Sequence, residues 1–184
     1  NDSSKVKEII EDLEEYQYLD DVSRIMFRHL GRNLYRLENR FKFMEIVRKH
    51  PFLERTEPAR YYYFLYINEI YNGHFDSAYE FLSTLRSKVG FLNPELHEIW
   101  REDSTGKPKV FVGRAFLKNG RFRKIYISEI HKAFDLRLKE NITFKVQQDY
   151  RVNLQFHLSG VKAYTLWERA KARENLFFLS PSMC

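Results

Sequence analysis

Residues Asn72–Leu82 read Asn-Gly-His-Phe-Asp-Ser-Ala-Tyr-Glu-Phe-Leu, and they restrict the fold more than any other stretch. The pattern predicts a helix ending at Asn72-Gly73, a tight turn on Gly73, and Phe75 wedged between two helices. Asp76 is placed to cap the second helix. Ala78 is small enough for the helices to approach closely, and Phe81 and Leu82 fall on the buried face. Beyond this hairpin the hydrophobic period drops from about 3.6 residues to 2.

On the helical side, residues 4–19 place Val6, Ile9, Ile10, Leu13 and Tyr16 along one face, with Glu outside. A second helix is predicted over 21–36, with Val22, Ile25, Met26, His29 and Leu30 as its stripe and Gly31 as an early stop. A third, over about 38–50, carries Phe41, Met44, Ile46 and Val47 and is stopped by Pro51. Thr56 is expected to cap the next helix, with Pro58 in its first turn. That helix runs to Tyr71. Its partner runs from Asp76 to about Lys88, with Gly90 as C-terminal cap. A short helix is predicted at 94–101, starting at Asn93-Pro94 and holding Leu96, Ile99 and Trp100. These elements make 1–102 a helical domain, 103–107 a turn-rich linker and 108–184 a β domain with a C-terminal helix and tail.

Strands are predicted over about 109–117 and 121–128, joined by the hairpin signal Asn119-Gly120. Residues 142–147 alternate, with Ile142, Phe144 and Val146 on one face, and 151–158 alternate with Val152, Leu154, Phe156 and Leu158 inward. Ser159-Gly160 turns the chain into a last strand, 161–166. A mixed segment, 129–138, is expected as a short helix, and a final helix is placed around Trp167–Leu176. Five short strands interrupted by a helix or loop suit a small barrel. The fold class is therefore α+β: antiparallel helices followed by a small β-barrel.

Charge separates the halves. Residues 1–100 carry 14 Lys+Arg against 17 Asp+Glu, a balance of −3; residues 101–184 carry 17 against 8, a balance of +9. Such asymmetry points to an anionic partner for the basic half. No apolar run approaches the roughly 18 residues of a membrane span, and the sole cysteine, Cys184, can close no internal disulfide, which favours a reducing compartment, the cytoplasm. A start without Met suggests a piece of a longer protein.

Two stretches carry a resemblance. The hairpin around Gly73 resembles tetratricopeptide-like repeats. The run Val152-Asn-Leu-Gln-Phe-His-Leu-Ser-Gly160-Val-Lys-Ala163-Tyr-Thr-Leu166 resembles the closing hairpin of oligonucleotide/oligosaccharide-binding (OB) barrels of cold-shock and S1 type. Helical repeats followed by an OB-like barrel are similar to the C-terminal region of the sterile-alpha-motif-domain-containing protein 9 family, departing from it in the aromatic tail after Trp167. The resemblance implies a cytosolic antiviral, growth-restraining protein in which this region binds or positions rather than cuts.

The segment Arg121-Phe-Arg-Lys-Ile-Tyr-Ile127 is the main candidate site. With Ile125 and Ile127 inward, Phe122, Lys124 and Tyr126 share the opposite face, an aromatic–cation–aromatic row suited to stacking bases and meeting phosphate. Arg114, Lys118, Arg121, Arg123 and Lys145 extend the positive surface. The competing expectation is a sealed face, with the protein serving protein interaction or autoinhibition. Among Tyr62, Tyr63, Tyr66 and Tyr71 most rings are expected in the core, with Tyr63 and Asn68 facing outward as partner-binding candidates.

Catalytic and metal patterns are sparse. Arg24 and His29 have the Arg-x4-His spacing of some helical RNases, yet Ile25 stands where a polar residue is usual, and the expectation is a non-enzyme. His50, His74, His97, His131 and His157 do not cluster, no cysteine pair exists, and Ser104-Thr-Gly-Lys107 lacks the phosphate-loop spacing. No cofactor or metal is called for.

Overall fold

Residues 20–89 and 98–166 are described by a computed structural model. They contain five helices and a six-stranded sheet, an α+β fold. The helix expected over 4–19, the Gly90 cap, the Asn93-Pro94 helix start and the helix and tail expected from Trp167 lie outside the described residues. The chain divides into two compact units: one takes the sequence up to Lys109 with Leu154–Lys162, the other Val110–Asn153 with the sequence from Ala163.

In the first unit, α1 is helical over 20–32, followed by α2 (Leu37–Lys49), α3 (Leu53–Thr56), α4 (Pro58–Tyr71) and α5 (Phe75–Val89). The α1 stripe is rotated from the expected one. Ser23, Phe27, Leu30, Gly31 and Leu34 are buried, whereas Ile25 is 65% exposed, and Met26 and His29 are exposed too. Burying Phe27 removes more apolar surface than burying Ile25 or Met26, and Gly31 lets that face close on α4. Phe27 stacks on Phe43 of α2 at 5.1 Å between ring centroids, and both meet Phe64 of α4 edge-on, at 5.9 and 6.1 Å. The α2 stripe is likewise shifted to Arg40, Phe43 and Val47, leaving Phe41 70% exposed.

Gly73 has φ +78° and ends α4 as the sequence requires. Its N–H donates to Ile70 O at 3.0 Å and His74 N–H to Glu69 O at 2.9 Å, the two bonds of a Schellman cap. Ala78, Leu82 and Leu85 are buried on α5, with Phe81 half-buried. Thr56 is not the cap of α4. Its hydroxyl donates to Phe52 O at 3.2 Å, inside α3, and Glu57 occupies the N-cap, accepting from Arg28 Nε at 3.1 Å.

The expected helix at 94–101 is replaced, where described, by β1 (Glu98–Ile99), antiparallel to Gln155–Phe156. The stretch expected as a linker is a tight turn: Glu102 N–H donates to Lys107 O and Lys109 N–H to Trp100 O, at 2.9 and 2.8 Å. Arg40, 6% exposed, anchors this turn. It donates to Leu34 O (2.9 Å) and Tyr35 O (3.2 Å), forks onto Asp103 (2.8 and 3.3 Å) and lies 4.9 Å over the Tyr71 ring. Tyr71, Trp100, Phe156 and Tyr66 continue as an aromatic cluster, with centroid spacings of 5.2, 5.8 and 6.2 Å.

The strands are β2 (Phe111–Lys118), β3 (Phe122–Ile127), β4 (Lys132–Arg137), β5 (Asp149–His157) and β6 (Gly160–Thr165). The sheet order is β1-β5-β2-β3-β4-β6, with a further β5–β6 pairing. The pairs β1–β5, β5–β2, β2–β3 and β3–β4 are antiparallel. In the second unit Phe111, Ala115, Ile125, Ile127, Phe134, Val152 and Ala163 form the core. Asn119 and Gly120 turn the β2–β3 hairpin at φ +55° and +64°, as the sequence predicts.

Two expected elements exchange places. Residues 142–147 form no strand despite their alternation, and 129–138 hold a single 3-10 turn (Ser128–Ile130) followed by β4. Left-handed residues bracket the failed strand, Asn141 at φ +71° and Gln147 at +63°. Tyr150 meets the backbone groups a partner strand would have met: its hydroxyl accepts from Lys145 N–H at 2.9 Å and donates to Thr143 O at 3.1 Å.

A Cβ on Gly31 would lie 2.3 Å from two carbons of the Phe64 ring. Gly31→Ala is expected to lower stability by about 1–3 kcal/mol through overpacking. Urea denaturation checks this: the midpoint falls while the slope is kept, and an unchanged midpoint would contradict the packing.

Candidate nucleic-acid interface

Two-residue alternation sorts the side chains of β2, β3 and β4. Gly113, Ala115, Ile125, Ile127, Phe134 and Leu136 point to the core. The other parity forms an outer face: Val112, Arg114, Phe116 and Lys118 on β2, Phe122, Lys124 and Tyr126 on β3, Ala133 and Asp135 on β4. The register sets Arg114 opposite Tyr126, Phe116 opposite Lys124 and Lys118 opposite Phe122. Phe122 is 54% and Tyr126 42% exposed. The expected row of ring, cation and ring is therefore on the surface, and β2 adds a second row.

Gly113 brings these strands close. A Cβ there would meet the Tyr126 carbonyl oxygen at 2.6 Å and Ile125 Cγ1 at 2.7 Å, so no larger residue fits without moving β3.

The cations of this face are unequal. Arg114 donates to both oxygens of Asp149, at 2.9 and 3.2 Å, and Lys124 lies 2.5 Å from Asp135. The hydrogen bond from Arg114 holds the Asp149 carboxyl below its ordinary range, and the same bond raises Arg114. Among the described residues Lys118, Arg121, Arg123 and Lys145 carry no ion pair. Arg121 lies 5.9 Å from the Phe122 centroid, a cation–π distance.

Two proposed members stand apart from the face. Arg123 has the opposite parity, pairs with Leu117, and lies 5.6 Å over Phe144. Lys145 follows Phe144 in the 138–148 loop and is exposed. The partner-binding candidates are corrected in orientation: Tyr63 and Asn68 are each 1% exposed and belong to the helical core rather than facing outward. Burial pushes the Tyr63 hydroxyl pKa up, as it does for Tyr66. Arg24 pairs with Asp21 at 3.4 Å and lies 6.0 Å over Phe52, while His29 is exposed on α1.

Sequence reasoning missed Val112, Phe116, Asp135 and Asp149. The first two were legible: the Asn119-Gly120 hairpin sets Phe116 opposite Lys124, and alternation along β2 puts Val112 on the same face. The carboxylates were not, because Asp135 lay in a segment expected as helix and Asp149 follows a segment wrongly expected as strand. Among the described residues no group of three or more His, Cys, Asp or Glu could hold a metal ion.

The chain matches no protein-family model, and no curated protein or solved structure matches it significantly.

The Arg114–Asp149 pair has a definite pH sign. Because the folded-state pKa of Asp149 is depressed, its stabilisation is present above the ordinary Asp value of about 3.9 and lost as pH falls through the lower folded value. Carboxyl-detected NMR titration is expected to place the Asp149 midpoint below that value. Arg114→Gln should return it towards the ordinary one.

Proposed function

We propose that this chain is a non-catalytic binding and regulatory module of a larger cytosolic protein, in which a basic OB-like barrel binds single-stranded or structured nucleic acid. One observation carries the reading: Phe122 and Tyr126, both exposed, flank Lys124 on one face, with Arg114 and Lys118 beside them on β2. Two exposed rings on one cation-bearing face offer a ready stacking surface. Bases stack on such rings with little regard to sequence while cations track the phosphates.

The OB assignment is supported by the pairing circuit β2-β3-β4-β6-β5, which the β5–β6 pairing returns to its start, the arrangement of a five-stranded Greek-key barrel. The tetratricopeptide-like assignment is supported by the Gly73 turn and the fully buried Ala78. Together they favour kinship with the sterile-alpha-motif-domain-containing protein 9 family, and with it an antiviral, growth-restraining setting. Among the described residues no helix is long and apolar enough to cross a membrane.

A second reading, a protein-interaction module, is favoured by α2. Phe41 is 70% and Leu37 49% exposed along one side of that helix, beside an open groove of about 540 Å³.

Fluorescence anisotropy with labelled single-stranded RNA and DNA at two salt concentrations tests the first reading. Phe122→Ala and Tyr126→Ala are each expected to weaken binding roughly five- to hundredfold, since stacking contributes about 1–3 kcal/mol per base. Stability should stay within about 0.5 kcal/mol. Absence of binding at low salt by the folded protein would leave the protein-interaction reading in its place.

A further inference from the structure

The outer face carries its own anions. Arg114 and Asp149 are direct register partners across β2–β5, and Lys124 and Asp135 are direct partners across β3–β4. The strand pairing itself therefore holds each carboxylate on its cation. The side chains of both pairs remain partly exposed, from 23% for Lys124 to 61% for Arg114, so incoming phosphate can reach them.

Building on the nucleic-acid reading above, we propose that Asp135 and Asp149 act as built-in competitors for phosphate and so restrict this interface to strands with unpaired bases. A phosphate reaching Arg114 or Lys124 exchanges one anion for another in contact with water, and such exposed ion pairs differ little in free energy. Phosphate contact at these two cations thus adds little net affinity. Stacking on Phe122 and Tyr126 meets no such competitor: one side of Phe122 is shared with Arg121, and Tyr126 stands opposite Ala133.

A duplex presents phosphates and hides the faces of its bases, so at Arg114 and Lys124 it meets cations that are already neutralised. A single strand offers both. Phe122 and Tyr126 are four residues apart on one strand, about 13 Å. That is several times the 3.4 Å step of a stacked strand, so the two rings take separate bases of a splayed strand.

The test uses the full chain, a labelled oligouridine and a labelled RNA duplex of equal length, and the variants Asp135→Asn, Asp149→Asn and both together. Asn preserves shape and removes the charge. The double variant is expected to bind the duplex about tenfold more tightly than the wild type, its salt dependence steepening by about 0.9 for each cation freed. Oligouridine should gain less, so that discrimination falls. Adding Arg114→Gln to Asp149→Asn should take back the slope gained at that position. Thermal melts confirm that each variant is folded.

Unchanged discrimination and salt slope in a folded double variant overturn the proposal. If the wild type still binds oligouridine and loses it on Phe122→Ala, that result leaves the nucleic-acid reading standing. If neither the wild type nor any variant binds either ligand, both fail together.

Discussion

A buried guanidinium organises the helical unit. Arg40 is the charged residue on the inward stripe of α2, and burying it alone would be prohibitive. Much of the cost is offset because its two terminal nitrogens meet Leu34 O, Tyr35 O and both oxygens of Asp103 while its plane covers Tyr71; Nε alone is left without a partner. The carbonyls of the turn after α1, the C-terminal end of α4 and the turn that feeds the strands are thereby fixed by one side chain. Tyr71 then accepts from Arg101 N–H at 2.9 Å, passing the constraint along the same turn. A Lys at position 40 would supply the charge without the planar fork these partners need.

In the basic C-terminal half the balance of charge on the ring-bearing face differs from what composition suggests. The C-terminal 84 residues carry a surplus of +9, yet on the ring-bearing face two of the cations are spent on carboxylates held opposite them by strand register. Lys118 and Arg121, near the hairpin tip, carry no such partner among the described residues. The positive field is therefore uneven along the sheet, and the exposed aromatic surface gives the face its chemical character.

Much of this was legible in the sequence where local chemistry and tertiary packing agree. Gly73 needs left-handed backbone and Asn119-Gly120 needs a tight reversal, and both positions adopt it. Val152, Leu154 and Phe156 are buried as their alternation predicts, although Asn153, expected outward, is buried between them. The helix stripes went astray where several apolar residues offered rival faces: Ile25 and Met26 lost to the larger Phe27, and Phe41 lost to Phe43, whose ring interlocks with Phe27 and Phe64. The alternation of 142–147 imitated a strand but lacked a partner, and the Tyr150 hydroxyl took up its backbone groups. At the candidate site the ring–cation–ring row followed from parity alone. Its carboxylates depended on which strands lie side by side, and periodicity does not encode that.

Gly113 makes the placement of the Tyr126 ring depend on an atom that is absent. The β3 backbone runs so near that one added carbon would press on the carbonyl of Tyr126. The placement of that ring is thus inherited from a neighbour with no side chain. Divergence at this glycine would re-aim the aromatic platform while every ring and every charge stayed in the sequence, a change of surface geometry that a comparison of surface residues would overlook.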